Sequence, residues 1–468
     1  MKFKSLLILS LAAVITLNLM CSKPKKTDDV PKNIIVFIGD GMGFNHVDAT
    51  SMFLYGEAGK LVFESNEWRK LAQATYSAIT NKDSEDGYTT GYSPRYARND
   101  TAYLKSNFTD SGAAATALST GYKTYNSAIG LDIHGDTLKH VTQLAKEIGK
   151  SAGVVTSVML SHATPAGFSA NSVHRNRYEQ IAKQQILNTK LDVLMGCGHP
   201  EFNNDGEASE EQYKYVGGSQ LWEQLTADKS VTKFVIDSVE YTVSDINGDS
   251  KPDAWTLITD STDFAALARG EKLPKRLLGI PKVHSTLQQS RKNDAEKIPW
   301  KQPMNTGLPN LAQMSLAALN VLNQNPKGFF VMIEGGAIDW AAHANQSARV
   351  IEETHDFDRA IAAVVDWVEK HSSWDETLVI VTADHETGML CGPVIGDQVV
   401  TQVKSNGKGN LPEMNWYSTN HTNSLVPLYV RGKGNEIFKL LANEFDPVRG
   451  PFVQNTDIPK SVFLFWDR

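Results

Sequence analysis

The chain has 468 residues, 41% hydrophobic and 21% charged, a composition that fits a globular protein with a sizeable core and excludes a disordered or fibrous one. Its 53 acidic residues outnumber 46 lysines and arginines, for a net charge of -7. With no basic stripe after the first residues, a nucleic-acid-binding surface is excluded and small or neutral partners are expected. Three cysteines exclude a disulfide framework.

The chain opens with MKFKSLLILSLAAVITLNLMC, two lysines before an apolar run from Leu6 to Leu17, and Cys21 is followed by the polar, basic SKPKKTDD. Residues 1–21 read as an export signal and are similar to a bacterial lipoprotein leader, in which Cys21 becomes the lipidated first residue of the mature chain. Met20 stands where such leaders carry a small residue, so simple cleavage with secretion, or an uncleaved anchor, stays open. The mature domain is expected outside the cytoplasm, in the periplasm or on a membrane. No later run approaches the roughly 18 apolar residues of a transmembrane helix.

Ile34 to Ile38 is a short β-rich apolar run that ends in Asp40 and a glycine turn. In TDSGAAATALSTG, Thr109 to Gly121, Asp and Ser precede a run of small helix formers, which predicts Ser111 at or near a helix N-terminus. Unpaired N–H groups and the positive end of the helix dipole favour an anion there, although an ordinary cap reads the same way. Residues 190–305 are less periodic and read as an insertion decorating one core that spans 31–468. Inside it, DINGDSKPDAW places Asp245, Asn247, Asp249 and Asp253 at alternating positions of a calcium-type loop. Ser250 replaces the turn glycine and Thr256 the bidentate glutamate, so a plain acidic turn is the alternative.

Helical spacing returns in MSLAALNVLNQ and in ARVIEETHDFDRAIAAVVDWVEKH, and two further apolar runs end at Glu334 and at Asp384. Three buried strands that each deliver a carboxylate at their C-terminal end predict an open α/β sheet with its site along that edge. Cys197 and Cys391 can form at most one bridge.

The carboxylates and histidines near these strand ends are Asp40, Glu334, Asp339, His343, Asp384, His385 and His421. Asp339 and His343 are four apart, so a helix starting there puts both on one face. Gathered together, such groups repel or sit unpaired unless cations join them. The mixed Asp/His set suits zinc, while Asp40, Thr164 and Glu334 offer hard oxygens that suit magnesium. Two zinc ions about 4 Å apart would clamp an in-line displacement at phosphorus, with Ser111 as nucleophile.

The motifs IGDGMG, TDSGAAATALSTGYKTYN, ATPAGF followed by HRNR, EGGAIDWAAH, TADHETG and NHTNSLVPLYVRG occur in the order found in the alkaline phosphatase family, which the chain resembles over most of its mature length. The resemblance implies an α/β three-layer sandwich with a central, mostly parallel sheet flanked by helices. It implies hydrolysis of phosphate monoesters at alkaline pH through a phosphoserine on Ser111, and a homodimer. Asp40, Asp384 and His385 would surround one zinc with Ser111; Asp339, His343 and His421 would hold the second. Asp40, Thr164 and Glu334 would hold magnesium, and Arg175 would grip two phosphate oxygens.

His162 stands where the enterobacterial branch has an Asp near magnesium, and Trp340 where it has a Lys near phosphate. His162 reads as a hydrogen-bonding neighbour or a water-mediated metal contact, Trp340 as packing under the site or a substrate contact. His46, His174 and His355 have no motif support and are read as structural. A sulfatase or phosphodiesterase of the same superfamily shares much of this metal set.

Overall fold

Apolar runs closed by glycine turns build the main sheet of the computed structural model, which describes residues 30–79, 88–89, 91–292 and 297–467. The leader and Cys21 lie outside the described residues. The strands are β1 (Asn33–Gly39), β2 (Arg69–Ala74), β3 (Ser151–Met159), β4 (Val193–Cys197), β5 (Thr256–Ile258), β6 (Leu277–Gly279), β7 (Phe329–Gly335), β8 (Thr377–Thr382), β9 (Val426–Gly432), β10 (Glu444–Asp446) and β11 (Gly450–Gln454). Their order is β10-β11-β2-β9-β8-β1-β7-β3-β4-β6-β5. From β8 to β5 every pairing is parallel. On the other side β8–β9, β9–β2 and β10–β11 are antiparallel.

Strands buried on both faces need apolar residues at every position, which is why β1, β7 and β8 read as continuous runs rather than alternating ones. Ile34, Val36 and Ile38 pack on one face with Phe330, Met332, Leu378 and Ile380. Ile35 and Phe37 pack on the other with Val331, Ile333, Val379 and Val381. Helices cover both faces, giving the expected three-layer α/β sandwich.

Four helices matter for the site: α1 (Ser111–Thr120), α2 (Ala163–Gly167), α3 (Ala337–His343) and α4 (Ser347–His371). The long α4 buries Ile351, Phe357, Ile361, Val364 and Val368 at helical spacing, and Phe357 meets Phe37 edge-on at 5.7 Å. Each such side chain contributes roughly 1.5–3 kcal/mol through burial, so α4 fixes β1 and β7 from behind.

The 190–305 stretch is continuous with this core, because it supplies β4, β6 and β5 to the parallel edge of the sheet. The DINGDSKPDAW turn is closed by its own backbone. The Asp245 carboxylate accepts from the N–H groups of Asn247, Gly248 and Ser250. Asp253 accepts from Ile246 N–H and meets the Lys275 ammonium at 2.5 Å. Cys197 and Cys391 are separate, buried free thiols. Among the described residues no helix is long and apolar enough to cross a membrane.

Gly41 sets the turn after β1. Its φ is +73°, a conformation that side chains resist, and a Cβ would fall 2.8 Å from Asp339 Cα. Its N–H donates to Asp384 Oδ1 at 3.1 Å, so this turn holds two candidate ligands in place. Gly41→Ala is expected to lower stability in urea unfolding by about 1–3 kcal/mol and to reduce bound metal. Wild-type values for both quantities would contradict this packing.

Candidate active site at the carboxyl edge of the sheet

Parallel register aligns Ile38 of β1 with Glu334 of β7 and with Thr382 of β8. The three central strands therefore stop level, and Asp40, Glu334 and Asp384 come side by side, each fully buried. Helix α3 starts two residues after β7 and turns Asp339 and His343 onto the same edge. His421 arrives on a separate antiparallel pairing of His421–Thr422 with Glu386–Thr387, in which Thr387 lies opposite His421. Asp110 is the N-cap of α1, accepting from Ala113 N–H at 2.9 Å, and Ser111 is the first helical residue. The Ser111 hydroxyl is buried, 3.2 Å from His385 Nε2.

Hydrogen bonds around the three imidazoles fix which nitrogen faces this cluster. His421 Nδ1 lies 2.9 Å from the carbonyl of Thr109, and His343 Nδ1 lies 2.6 Å from the carbonyl of Thr419. Carbonyls only accept, so both Nδ1 atoms carry the proton. Thr387 donates its hydroxyl proton to Asp339 Oδ1 and so accepts from His385 Nδ1 at 3.2 Å. In neutral rings all three Nε2 lone pairs then point into the cluster. His343 Nε2 and His421 Nε2 are 3.1 Å apart, two lone pairs facing each other, with Asp339 carboxylate oxygens 3.4 and 3.6 Å away. His385 Nε2 faces Asp384 at 3.2 Å and Asp40 at 3.6 Å.

Several buried atoms here have no hydrogen-bond partner: both carboxylate oxygens of Asp40, Asp384 Oδ2, Glu334 Oε1, Thr164 Oγ1 and His162 Nδ1. Unpaired buried acceptors are costly, and a concentration of them at one place is what cation ligands look like without their ions. Among the described residues three groups bring their donor atoms within 4.8 Å: Asp339, His343 and His421; Asp40, Asp339 and His385; Asp40, His162 and Glu334. The donor chemistry fits divalent cations. Asp339 stands between the two imidazole sets, and His162 brings a ring nitrogen within 4.8 Å of donor atoms of Asp40 and Glu334. Thr164, from α2, lies beside Glu334.

Burial and mutual repulsion shift the carboxyls together. Burial, then Asp384, Asp339 and Glu334, hold Asp40 well above the ordinary carboxylate range. Burial pushes Glu334 up to about 8 and Asp384 up to about 7. Burial, aided by Arg175, pulls His162 down to about 3, leaving it neutral.

Arg175 resolves the register of HRNR: its Nη1 donates to Asp110 Oδ2 at 2.9 Å and its Nη2 lies 3.4 Å from His162 Nε2, whereas Arg177 is exposed. Burial alone would raise the Asp110 pKa, but Arg175 and the N–H groups of Ala113 and Ser127 bring it below its ordinary value. Asp110 thus joins the α1 terminus to the guanidinium. Trp340 packs edge-on to His162 at 5.7 Å and stays partly exposed. His46, His174 and His355 belong to none of the three donor groups.

Sequence reading missed Asp110, Thr387 and Thr156 as site residues. The first two sit inside quoted motifs, so neighbouring a ligand was their available signal. Thr156, which donates to Glu334 Oε2, carries no signal in the sequence.

The family profile described as alkaline phosphatase matches residues 31–446. Alkaline phosphatase 4 of Bacillus subtilis (strain 168) is 32% identical over 371 residues, covering 78% of this chain and 63% of that protein. The chain therefore spans less than two thirds of that relative's length. Alkaline phosphatase of Escherichia coli (strain K12) is 31% identical over 378 residues, covering 77% of this chain and 71% of that protein. The structure of alkaline phosphatase from the Antarctic bacterium TAB5 superposes with a TM-score of 0.60 at 22% identity, covering 94% of this chain and 98% of that one, a likeness of fold.

The raised carboxyls dictate a pH signature. A folded pKa above the unfolded value of about 4 means that the native state binds more protons, so metal-free stability falls as pH climbs from that value toward 8. Chelated protein is expected to melt lower at pH 8.5 than at pH 6. Added zinc and magnesium should reverse that loss, adding about 2.7 kcal/mol at a hundredfold excess over Kd. Melting temperatures that ignore chelator and pH alike would argue against cations at this cluster.

Proposed function

The chain belongs to the alkaline phosphatase family, and from that premise we propose that it hydrolyses phosphate monoesters at alkaline pH through a phosphoserine on Ser111. The observation that carries this reading is the Ser111 hydroxyl, buried at a helix N-terminus and 3.2 Å from His385 Nε2 among unpaired carboxylates. Asp40, Asp384 and His385 would hold one zinc, and Asp339, His343 and His421 the other. Asp40, Glu334 and Thr164, joined by His162, would hold magnesium. When bound, these cations supply the positive charge that favours a serine alkoxide and neutralises the oxygen that leaves.

The chain's own groups do the positioning. Arg175, oriented by Asp110, offers its remaining N–H groups to two non-bridging phosphate oxygens, a planar fork that lysine lacks. Ser111 Oγ attacks phosphorus in line as the ester P–O bond breaks, and the alcohol departs with a proton. Water then attacks the phosphoserine, Ser111 Oγ leaves and regains its proton, and phosphate is released. The positive end of α1 stabilises the oxygens throughout. Alkaline preference belongs to the same reading and is supported by the family resemblance. Export through residues 1–21 with lipid on Cys21, and a homodimer, belong to the same reading; the lysine-apolar-cysteine pattern supports the first and the family resemblance the second.

Ser111→Ala is expected to abolish acid-trapped phosphate on the protein from a radiolabelled ester and to cut kcat about 10³-fold or more. Label retained in that variant would overturn the assignment. Arg175→Lys should lower kcat/KM on an aryl phosphate by roughly 10–100-fold, the loss of one or two charge-assisted hydrogen bonds. A diester or sulfate ester turned over faster than the matching monoester would move the chain to a different reaction in the same superfamily.

A further inference from the structure

A cavity of about 570 Å³ opens from the metal-ligand cluster and Arg175 to solvent. Beyond those charged groups its wall is neutral: Trp340, Asn420, Gln289 and Ser290. The last two come from the 190–305 stretch, where the sequence pattern marked the DINGDSKPDAW loop and neither of these residues. Both are held firmly. Gln289 donates through Nε2 to Gln346 Oε1 at 2.9 Å and accepts through Oε1 from Ser290 Oγ at 2.7 Å. The Ser290 N–H donates to Thr286 Oγ1.

The next residue, Arg291, is a buried staple. Its guanidinium donates to the carbonyls of Gln288, Gln302 and Pro303 and to Glu352 Oε2 on α4. A wall tied to the core in this way presents fixed polar atoms. After their mutual bond, Gln289 keeps one N–H and one lone pair, and Ser290 Oγ keeps its lone pairs. Uncharged groups that both donate and accept match alcohol hydroxyls, and an indole suits the C–H face of a ring.

We infer that Gln289 and Ser290, with Trp340, form the subsite for the alcohol half of the ester, and that it takes a hydroxylated ring, the sugar class of phosphate monoester. The subsite rests on the phosphatase reading above. With Arg175 as the one arginine or lysine lining the cavity among the described residues, a leaving group that carries a second phosphate meets no counter-charge from Trp340, Asn420, Gln289 or Ser290.

The test compares glucose 6-phosphate with cyclohexylmethyl phosphate, a ring of similar shape without hydroxyls, using the metal-loaded chain. The ratio of their kcat/KM values is expected to favour the sugar in the wild type and to fall about five- to tenfold in Gln289→Ala and in Ser290→Ala, one neutral hydrogen bond each. Ser290→Thr, which keeps the hydroxyl, should restore the ratio. A ratio unchanged by both alanine variants, or a wild type that prefers the hydroxyl-free ring, overturns the subsite and leaves the phosphatase reading standing. No turnover of either ester by the wild type overturns the phosphatase reading and the subsite with it.

Discussion

Like charges and lone pairs crowded in a dry place govern this molecule. Asp40, Asp339, Asp384 and Glu334 converge with the Nε2 atoms of three histidines, and Arg175 is the guanidinium set against them. Such a cluster is unstable by itself, because burial strengthens repulsion and removes the water that would solvate each oxygen. The surrounding hydrogen bonds increase the demand rather than relieve it. Thr109 and Thr419 carbonyls and the Thr387 hydroxyl fix the tautomers so that every lone pair turns inward. Divalent cations are the ligands that satisfy all of these atoms at once.

The sheet makes that concentration possible. Parallel neighbours β8, β1 and β7 end at one level, so three carboxylates need no long excursions to meet. Helices packed on both faces make the strands rigid, and α4 in particular supports β1 and β7 from one side while anchoring Arg291 through Glu352 on another. Ligands placed on strand ends and short helices keep their geometry because the core behind them is close-packed. Asp110 does two jobs at this edge: it caps α1, and it holds the guanidinium that faces the same space as Ser111.

A division of labour runs across the cavity. On one side lie charged groups suited to a phosphoryl dianion; on the other lie an indole, an amide and a hydroxyl suited to a neutral organic group. The charged side comes from motifs compact in sequence. On the neutral side the indole of Trp340 also sits in such a motif, on α3, whereas Gln289 and Ser290 come from a stretch without clear periodicity, which the sheet nevertheless incorporates through β4, β5 and β6. The polar atoms of Gln289 and Ser290 gain precision from Arg291, whose four acceptors come from three segments, at Gln288, at Gln302 and Pro303, and at Glu352 on α4.

Much of this was legible in the residues themselves. Continuous apolar runs ending in Asp40, Glu334 and Asp384 declared a two-sided sheet with a site at one edge, and the spacing of Asp339 and His343 declared one face of a helix, because both features depend on local period alone. Asp110 and Ser111 before a run of small residues declared the helix terminus for the same reason. Tertiary structure decided what local period cannot: that Asp339 stands between two donor sets, that His162 reaches Asp40 and Glu334, that Arg175 rather than Arg177 turns inward, and that the acidic turn at Asp245 is closed by backbone N–H groups while Lys275 meets Asp253. Apart from the local closure at Asp245, each of those depends on distances between segments separated along the chain, which strand order and packing set and which no stretch of sequence contains.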